Sequence, residues 1–129
     1  MLGTAPHIES GESEMTARAA AFIRTNCLSP LSLEQVAHAA GCSRFTLIRG
    51  FRRDYGITPH AFLIDCRIRW GQRALRRGAD IAETALNCHF ADQAHFQRTF
   101  KRLTAATPRQ YRQATSGPWP RHWPPEVLP

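Results

Sequence analysis

Residues 33–59 recur as residues 81–108, and this internal repeat limits what the chain can fold into more than any other feature. Leu33, Val36, Ala37 and Gly41 align with Ile81, Thr84, Ala85 and His89 at an offset of 48. Leu47, Phe51, Thr58 and Pro59 align with Phe96, Phe100, Thr107 and Pro108 at an offset of 49, so one residue has entered the turn of the second copy. A repeat of this length marks one supersecondary unit built twice. Each copy has an apolar stripe at helical spacing, a small residue (Ala37, Ala85), a tight turn, and a basic second helix that stops before Thr-Pro. The small residue lets two helices cross closely, and the short turn sets them at the steep angle of a helix-turn-helix. One such pattern is a weak signal, because any helical hairpin resembles it; two in tandem are much stronger.

Periodicity elsewhere is helical, with no stretch of strand alternation. Met15, Ala19, Phe22 and Ile23 predict a first amphipathic helix ending near Asn26. Ser32 with Gln35 forms a capping box for a second, with Leu33, Val36, Ala37 and Ala40 buried and Gly41 as its stop. Ser43 caps a third reaching Tyr55, with Leu47 and Phe51 inward and Gly56 as its left-handed terminator. Thr58 and Pro59 open a long fourth helix to Arg77, with Ile64, Ile68, Gly71 and Leu75 on one face. Asp80 caps a fifth to about Cys88, and Asp92 or Ala91 opens a sixth that buries Phe96, Phe100 and Leu103. Pro108 to Gln113 predicts a short seventh, with Tyr111 inward.

The expected architecture is therefore all-α: about seven helices forming two helix-turn-helix subdomains, about 33–55 and 81–103, joined by a linker helix at 59–77. Residues 1–14 are acidic and read as a disordered leader or linker, 15–113 as the folded domain, and 114–129 as an extended or disordered Pro-rich tail whose Trp119 and Trp123 could dock back on the domain. A linker helix of 19 residues would span about 28 Å at 1.5 Å per residue. One turn of DNA is about 34 Å, so such a spacer could set two second helices into successive major grooves of one duplex.

Composition narrows the function. Hydrophobic residues at 43% suffice for a core, and the charge is concentrated: residues 43–112 hold 13 Arg and one Lys against five acids, leaving +9 there against +7 overall. That balance suits a polyanion, although arginine used merely for solubility would look the same without the motifs. No apolar run approaches the roughly 18 residues of a membrane span, and the N-terminus lacks a signal peptide's basic and apolar regions, so a cytoplasmic location is expected. Cys27, Cys42, Cys66 and Cys88 form no CxxC pair and read as reduced packing residues. With no phosphate-binding Gly loop, HExxH or nucleophile elbow, no catalytic residue, metal or cofactor is expected.

With Leu47 and Phe51 inward, the third helix turns Arg44, Phe45, Ile48, Arg49 and Arg52 to its other faces. Arg49 can pair bidentately with guanine, and Phe45 and Ile48 can meet thymine methyls, the competing reading of the latter two being ordinary core. With Phe96 and Phe100 inward, the sixth turns Gln93, Ala94, His95, Gln97 and Arg98 outward. Gln suits the edge of adenine and Arg that of guanine, which makes Gln93, Gln97 and Arg98 base-reading candidates beside Ala94. Arg52, Arg53, Lys101, Arg102 and Arg112 are placed for phosphate, as are Ser43, Thr46, His95 and Thr99, with Ser43 equally readable as a cap and His95 as an unemployed surface residue.

The segments SLEQVAHAAGCSRFTLIRGFRRDYGITPHAFL and IAETALNCHFADQAHFQRTFKRLTAATPRQYR resemble the two motifs of the DNA-binding domain of AraC/XylS-type transcription regulators. The resemblance covers about Met15 to Gln113, and the chain is similar in length to the family's small stand-alone members. It implies sequence-specific binding of double-stranded DNA at a bipartite promoter site, activation by recruiting RNA polymerase, and monomeric binding, since both motifs lie in one chain. It also places Phe45, Ile48 and Arg49 at contact positions and gives Arg67 a structural role. Three residues depart from the pattern: His89 and Ala105 stand where Gly is usual, and Gly71 where Ala is, at a cost of about 1 kcal/mol in an exposed helix. The rival to specific reading is a degenerate helix-turn-helix interaction module with little specific DNA binding, for which His89 and Ala105 would be signs of decay. A nonspecific, chromatin-like binder is disfavoured by the Gln and Arg offered to base edges.

Overall fold

The computed structural model describes residues 13–114, and among them the chain forms seven helices and no strand. They are α1 (Glu14–Asn26), α2 (Leu33–Ala40), α3 (Arg44–Tyr55), α4 (Pro59–Arg76), α5 (Ile81–Asn87), α6 (Gln93–Thr104) and α7 (Pro108–Ala114). The expected all-α architecture is thus found. The expected leader to residue 14 gives way at its end, because Ser13 is the N-cap of α1 and Glu14 its first residue. Arg77 falls in the turn after the linker helix and Ala114 within α7. The rest of the leader and the Trp-containing tail lie outside the described residues.

Capping chemistry sets nearly every boundary. The Ser32 hydroxyl accepts from the Gln35 amide and the Gln35 side chain accepts from the Ser32 amide, the reciprocal box anticipated for α2. Ser43, Asp80 and Asp92 each accept from the amide three residues on, Thr46, Glu83 and His95 respectively. Each satisfies one of the donors a helix leaves free at its first turn. Thr107 and Gln110 form a second reciprocal box before α7.

The backbone divides into two compact units after Ile64. In the first, α1 packs on both α2 and α3. The core comprises Ala19, Ala20, Ile23, Val36, Ala37, Ala40, Leu47 and Phe51, each at most 4% exposed. Phe51 meets the edges of Tyr55 and Phe62 at centroid distances of 5.1 and 5.4 Å. In the second unit α6 packs on α5 and α7. Phe96 meets Phe90 and Phe100 at 5.2 and 5.6 Å, and Phe100 meets Tyr111 at 5.5 Å. The Arg76 Nε donates to the Tyr111 hydroxyl at 2.7 Å, fixing α7 to the end of α4.

One expectation about packing is corrected. Leu103 is 41% exposed, lying beyond the stripe that Phe96 and Phe100 bury. Gly71 is buried, on the face read for it with Ile68 and Leu75, so the cost stated for an exposed helix does not apply: a Cβ there would lie 3.0 Å from two ring atoms of Phe96, and the missing methyl makes room for that ring. Cys27, Cys66 and Cys88 are buried and Cys42 partly so, none of them in a disulfide; burial pushes the Cys42 thiol above its ordinary range, opposed by the nearby Arg18 charge.

Candidate nucleic-acid interface

Each unit contains one helix-turn-helix, and the turns of the two copies share their hydrogen bonds. After α2, the Gly41 amide donates to the His38 carbonyl and the Cys42 amide to that of Ala37. After α5, the His89 amide donates to Leu86 and the Phe90 amide to Ala85, the same pattern 48 residues on. This pair of bonds needs a left-handed residue, and both positions supply one, Gly41 with φ 75° and His89 with φ 65°. The terminators of the second helices match likewise, Gly56 at φ 77° and Ala105 at φ 67°. His89 and Ala105 therefore keep the turn shape that glycine would give, at the cost of left-handed strain. The inserted residue sits between turn and cap: Cys42 alone separates Gly41 from Ser43, whereas Phe90 and Ala91 separate His89 from Asp92.

Burial of one face decides what the other presents. In α3 Leu47, Gly50 and Phe51 are buried, while Arg44, Phe45, Thr46, Arg49, Arg52 and Arg53 are exposed and Ile48 is half-buried. In α6 Phe96, Thr99 and Phe100 are buried, while Gln93, Ala94, His95, Arg98, Lys101 and Arg102 are exposed and Gln97 is half-buried. The equivalence is position by position at an offset of 49, from Arg44 and Gln93 to Arg53 and Arg102. Of the base-contact candidates, the structure gathers Arg44, Phe45, Ile48 and Arg49 on the outer side of α3, and Gln93, Ala94, Gln97 and Arg98 on that of α6.

The phosphate candidates fare unevenly. Arg52, Lys101 and Arg102 are exposed. Thr99, the counterpart of buried Gly50, is only 5% exposed, unlike the other phosphate candidates on α6. Ser43 spends its hydroxyl on the Thr46 amide and hydroxyl, the capping role weighed for it. His95 rests edge-on against Phe90 at 5.2 Å. Arg112 donates to the Gly78 carbonyl at 2.8 Å, closing the turn after α4. Arg53 is held by Asp54, its Nε donating to Oδ1 at 2.7 Å.

That pair belongs to a clamp that the sequence reading did not find. The Asp54 carboxylate, its side chain 1% exposed, also accepts from the Ser13 amide at 3.0 Å, so the end of α3 is tied to the N-cap of α1. These hydrogen bonds hold the Asp54 carboxyl well below the usual carboxylate range, Arg53 being the largest cause, with burial opposing. The available signal was Ser13 three residues before Thr16, a cap pattern; its link to a residue 41 positions away carried none. Two further ties are local: Arg44 pairs with Glu34 at 3.3 Å, and the Arg49 guanidinium carbon lies 5.5 Å from the centre of the Phe45 ring. Arg67 is buried.

A family profile described as a helix-turn-helix domain matches residues 36–114. The chain belongs to the AraC family of DNA-binding domains. Over 83 residues it is 35% identical to the HTH-type transcriptional regulator MtrA of Neisseria gonorrhoeae, an alignment covering 64% of this chain and 28% of that protein. Over 98 residues it is 29% identical to the HTH-type transcriptional activator RhaS of Escherichia coli, covering 75% of this chain and 35% of RhaS. The chain thus matches only about a third of these relatives' length. Among solved structures, an AraC-type DNA-binding regulator from Chromobacterium violaceum aligns with a TM-score of 0.77 at 27% identity, covering 81% of this chain and 94% of the other. The DNA-binding domain of AdpA, described as a global transcriptional factor and solved with a target DNA, aligns at 0.71 and 29%, covering 79% and 93%. AraC-family membership makes this a transcription regulator's DNA-binding domain rather than an enzyme. Among the described residues no helix is long and apolar enough to cross a membrane, and no cluster of His, Cys, Asp and Glu could hold a metal ion.

Proposed function

We propose that this AraC-family domain reads a specific bipartite site in double-stranded DNA, α3 and α6 each entering a major groove, and that it activates transcription by recruiting RNA polymerase as a monomer. The observation that carries the reading is the matched outer face of the two second helices. Each presents an exposed arginine at the same position, Arg49 and Arg98, backed by a face buried to the last aromatic ring. An arginine so placed can give two parallel hydrogen bonds to guanine. Ile48 and Gln97, half-buried at equivalent positions, would add a methyl contact in one groove and an adenine contact in the other. The intact turns at His89 and Ala105 favour this reading over a decayed interaction module. Activation draws on the likeness to RhaS, which is named an activator.

The test is selection of the purified chain on a random duplex library at about 150 mM salt, near physiological ionic strength, followed by anisotropy titration of the enriched site. Two short blocks about one helical turn apart are expected. Arg49→Ala should weaken recognition of one block and Arg98→Ala that of the other, each by roughly 1 to 3 kcal/mol. Absence of any enriched site, with affinity vanishing as salt rises, would establish the interaction module instead.

A further inference from the structure

Phe45 is 68% exposed on α3, more than any other large apolar side chain described, and the core does not use it. Leaving an aromatic ring in water forfeits the burial that usually justifies one. The ring lies one turn before Arg49, whose guanidinium rests over it at 5.5 Å from the ring centre. An aromatic face attracts and orients a guanidinium in this way. The oriented arginine and the uncovered ring therefore point off the same side of the recognition helix.

We propose that Phe45 and Arg49 act as one reading unit for a 5-methylpyrimidine–guanine step in the major groove. The inference rests on the DNA-binding reading above and specifies what α3 recognises. Arg49 pairs with O6 and N7 of the guanine, and Phe45 covers the 5-methyl group of the pyrimidine immediately before it. Both atoms sets lie on the major-groove edge, where the thymine methyl is the apolar mark of its base pair. Thymine and 5-methylcytosine share that methyl group. The second motif carries Arg98 but has Ala94 at the position of Phe45, so it holds the arginine without the ring. The sensitivity that depends on a ring is accordingly confined to the half-site read by α3.

The experiment uses the full chain and the enriched duplex, with the α3 half-site identified as the block weakened by Arg49→Ala. The pyrimidine before the guanine is made T, U, C or 5-methyl-C, each with its proper complement. Wild-type protein should bind T about fourfold more tightly than U, the transfer of one methyl group expressed as an affinity ratio, and 5-methyl-C over C by a similar factor. Whichever methylated base binds more tightly is the natural one. Phe45→Ala should bring both ratios close to one with its melting temperature unchanged, because the ring is exposed, and T→U in the α6 half-site should change little. Equal binding of T and U across the α3 half-site, or a methyl preference that survives intact in Phe45→Ala, would overturn the proposal while leaving two-motif DNA reading in place. Failure to enrich any site would remove both.

Discussion

The Asp54 carboxylate sits shielded at the end of α3, accepting from the Arg53 guanidinium and the Ser13 amide. Its work is mechanical: it fastens the far end of α3 to the N-cap of α1. The partners stabilise the ionised form, so the folded state holds Asp54 below the value of about 3.9 it takes in an unfolded chain. A depressed carboxylate contributes stability that is present above the unfolded value and lost as pH falls through the folded one. At pH 7 Asp54→Asn should therefore be less stable by about 2 kcal/mol, the scale of hydrogen bonds to a charged group. The difference between wild type and variant should shrink steadily below about pH 4, as the unfolded wild-type chain takes up a proton that the folded Asp54 still excludes. Urea midpoints measured at both pH values check this. A difference that stays constant into acid would mean that the carboxylate's charge contributes nothing to the clamp.

Helix ends carry the clearest departure of this chain from its own repeat, because Gly41 and Gly56 are answered by His89 and Ala105 in the same left-handed conformation. An L-residue there is strained by about 1 kcal/mol, and Ala105 is exposed, so its methyl offers no packing in return. Ala105→Gly should raise the melting temperature, corresponding to about 1 kcal/mol, without altering the Ala105 amide's bond to the Lys101 carbonyl, since the backbone already has glycine's geometry. Unchanged or lowered thermal stability would show that the strain is absorbed elsewhere. At this scale the sequence was most informative. Ser32, Ser43, Asp80 and Asp92 announce helix starts through chemistry confined to four consecutive residues; the first three starts are found where the local signal put them, and of the two read for the sixth helix it is Asp92 that caps it. What it hid depends on approach between distant segments. Gly71 shares a face with Ile64, Ile68 and Leu75, but nothing in its neighbourhood shows that Phe96 closes over it. Leu103 looked buried because helical spacing continues past the point where the partner surface ends. The outer faces of α3 and α6 were legible, as two large apolar residues per helix fix which side turns inward; the burial of Thr99 would have followed from pairing it with Gly50 across the repeat.

For the molecule as a whole, the count of arginines overstates what is available to a polyanion, since several of them are already partnered. Arg53 with Asp54, Arg69 with Asp65, Arg44 with Glu34 and Arg18 with Glu14 are ion pairs inside the chain. No ion pair involves Arg52, Arg98, Lys101 or Arg102 among the described residues, and all four are exposed on the two second helices. A cation that meets phosphate releases a condensed counterion, so the logarithm of the binding constant falls linearly with that of salt concentration, by about 0.9 per phosphate neutralised. Only arginines that reach phosphate contribute to that slope. Arg52→Ala should therefore flatten it by about one unit and weaken all duplexes alike. Arg69→Ala removes the same formal charge but leaves the Asp65 carboxylate unpaired on the surface of α4, and its slope should match wild type. Anisotropy titrations at four salt concentrations, on the enriched site and on a scrambled duplex, separate the two. Equal flattening by both substitutions would mean that the protein binds through its overall field, with no defined set of phosphate contacts at α3.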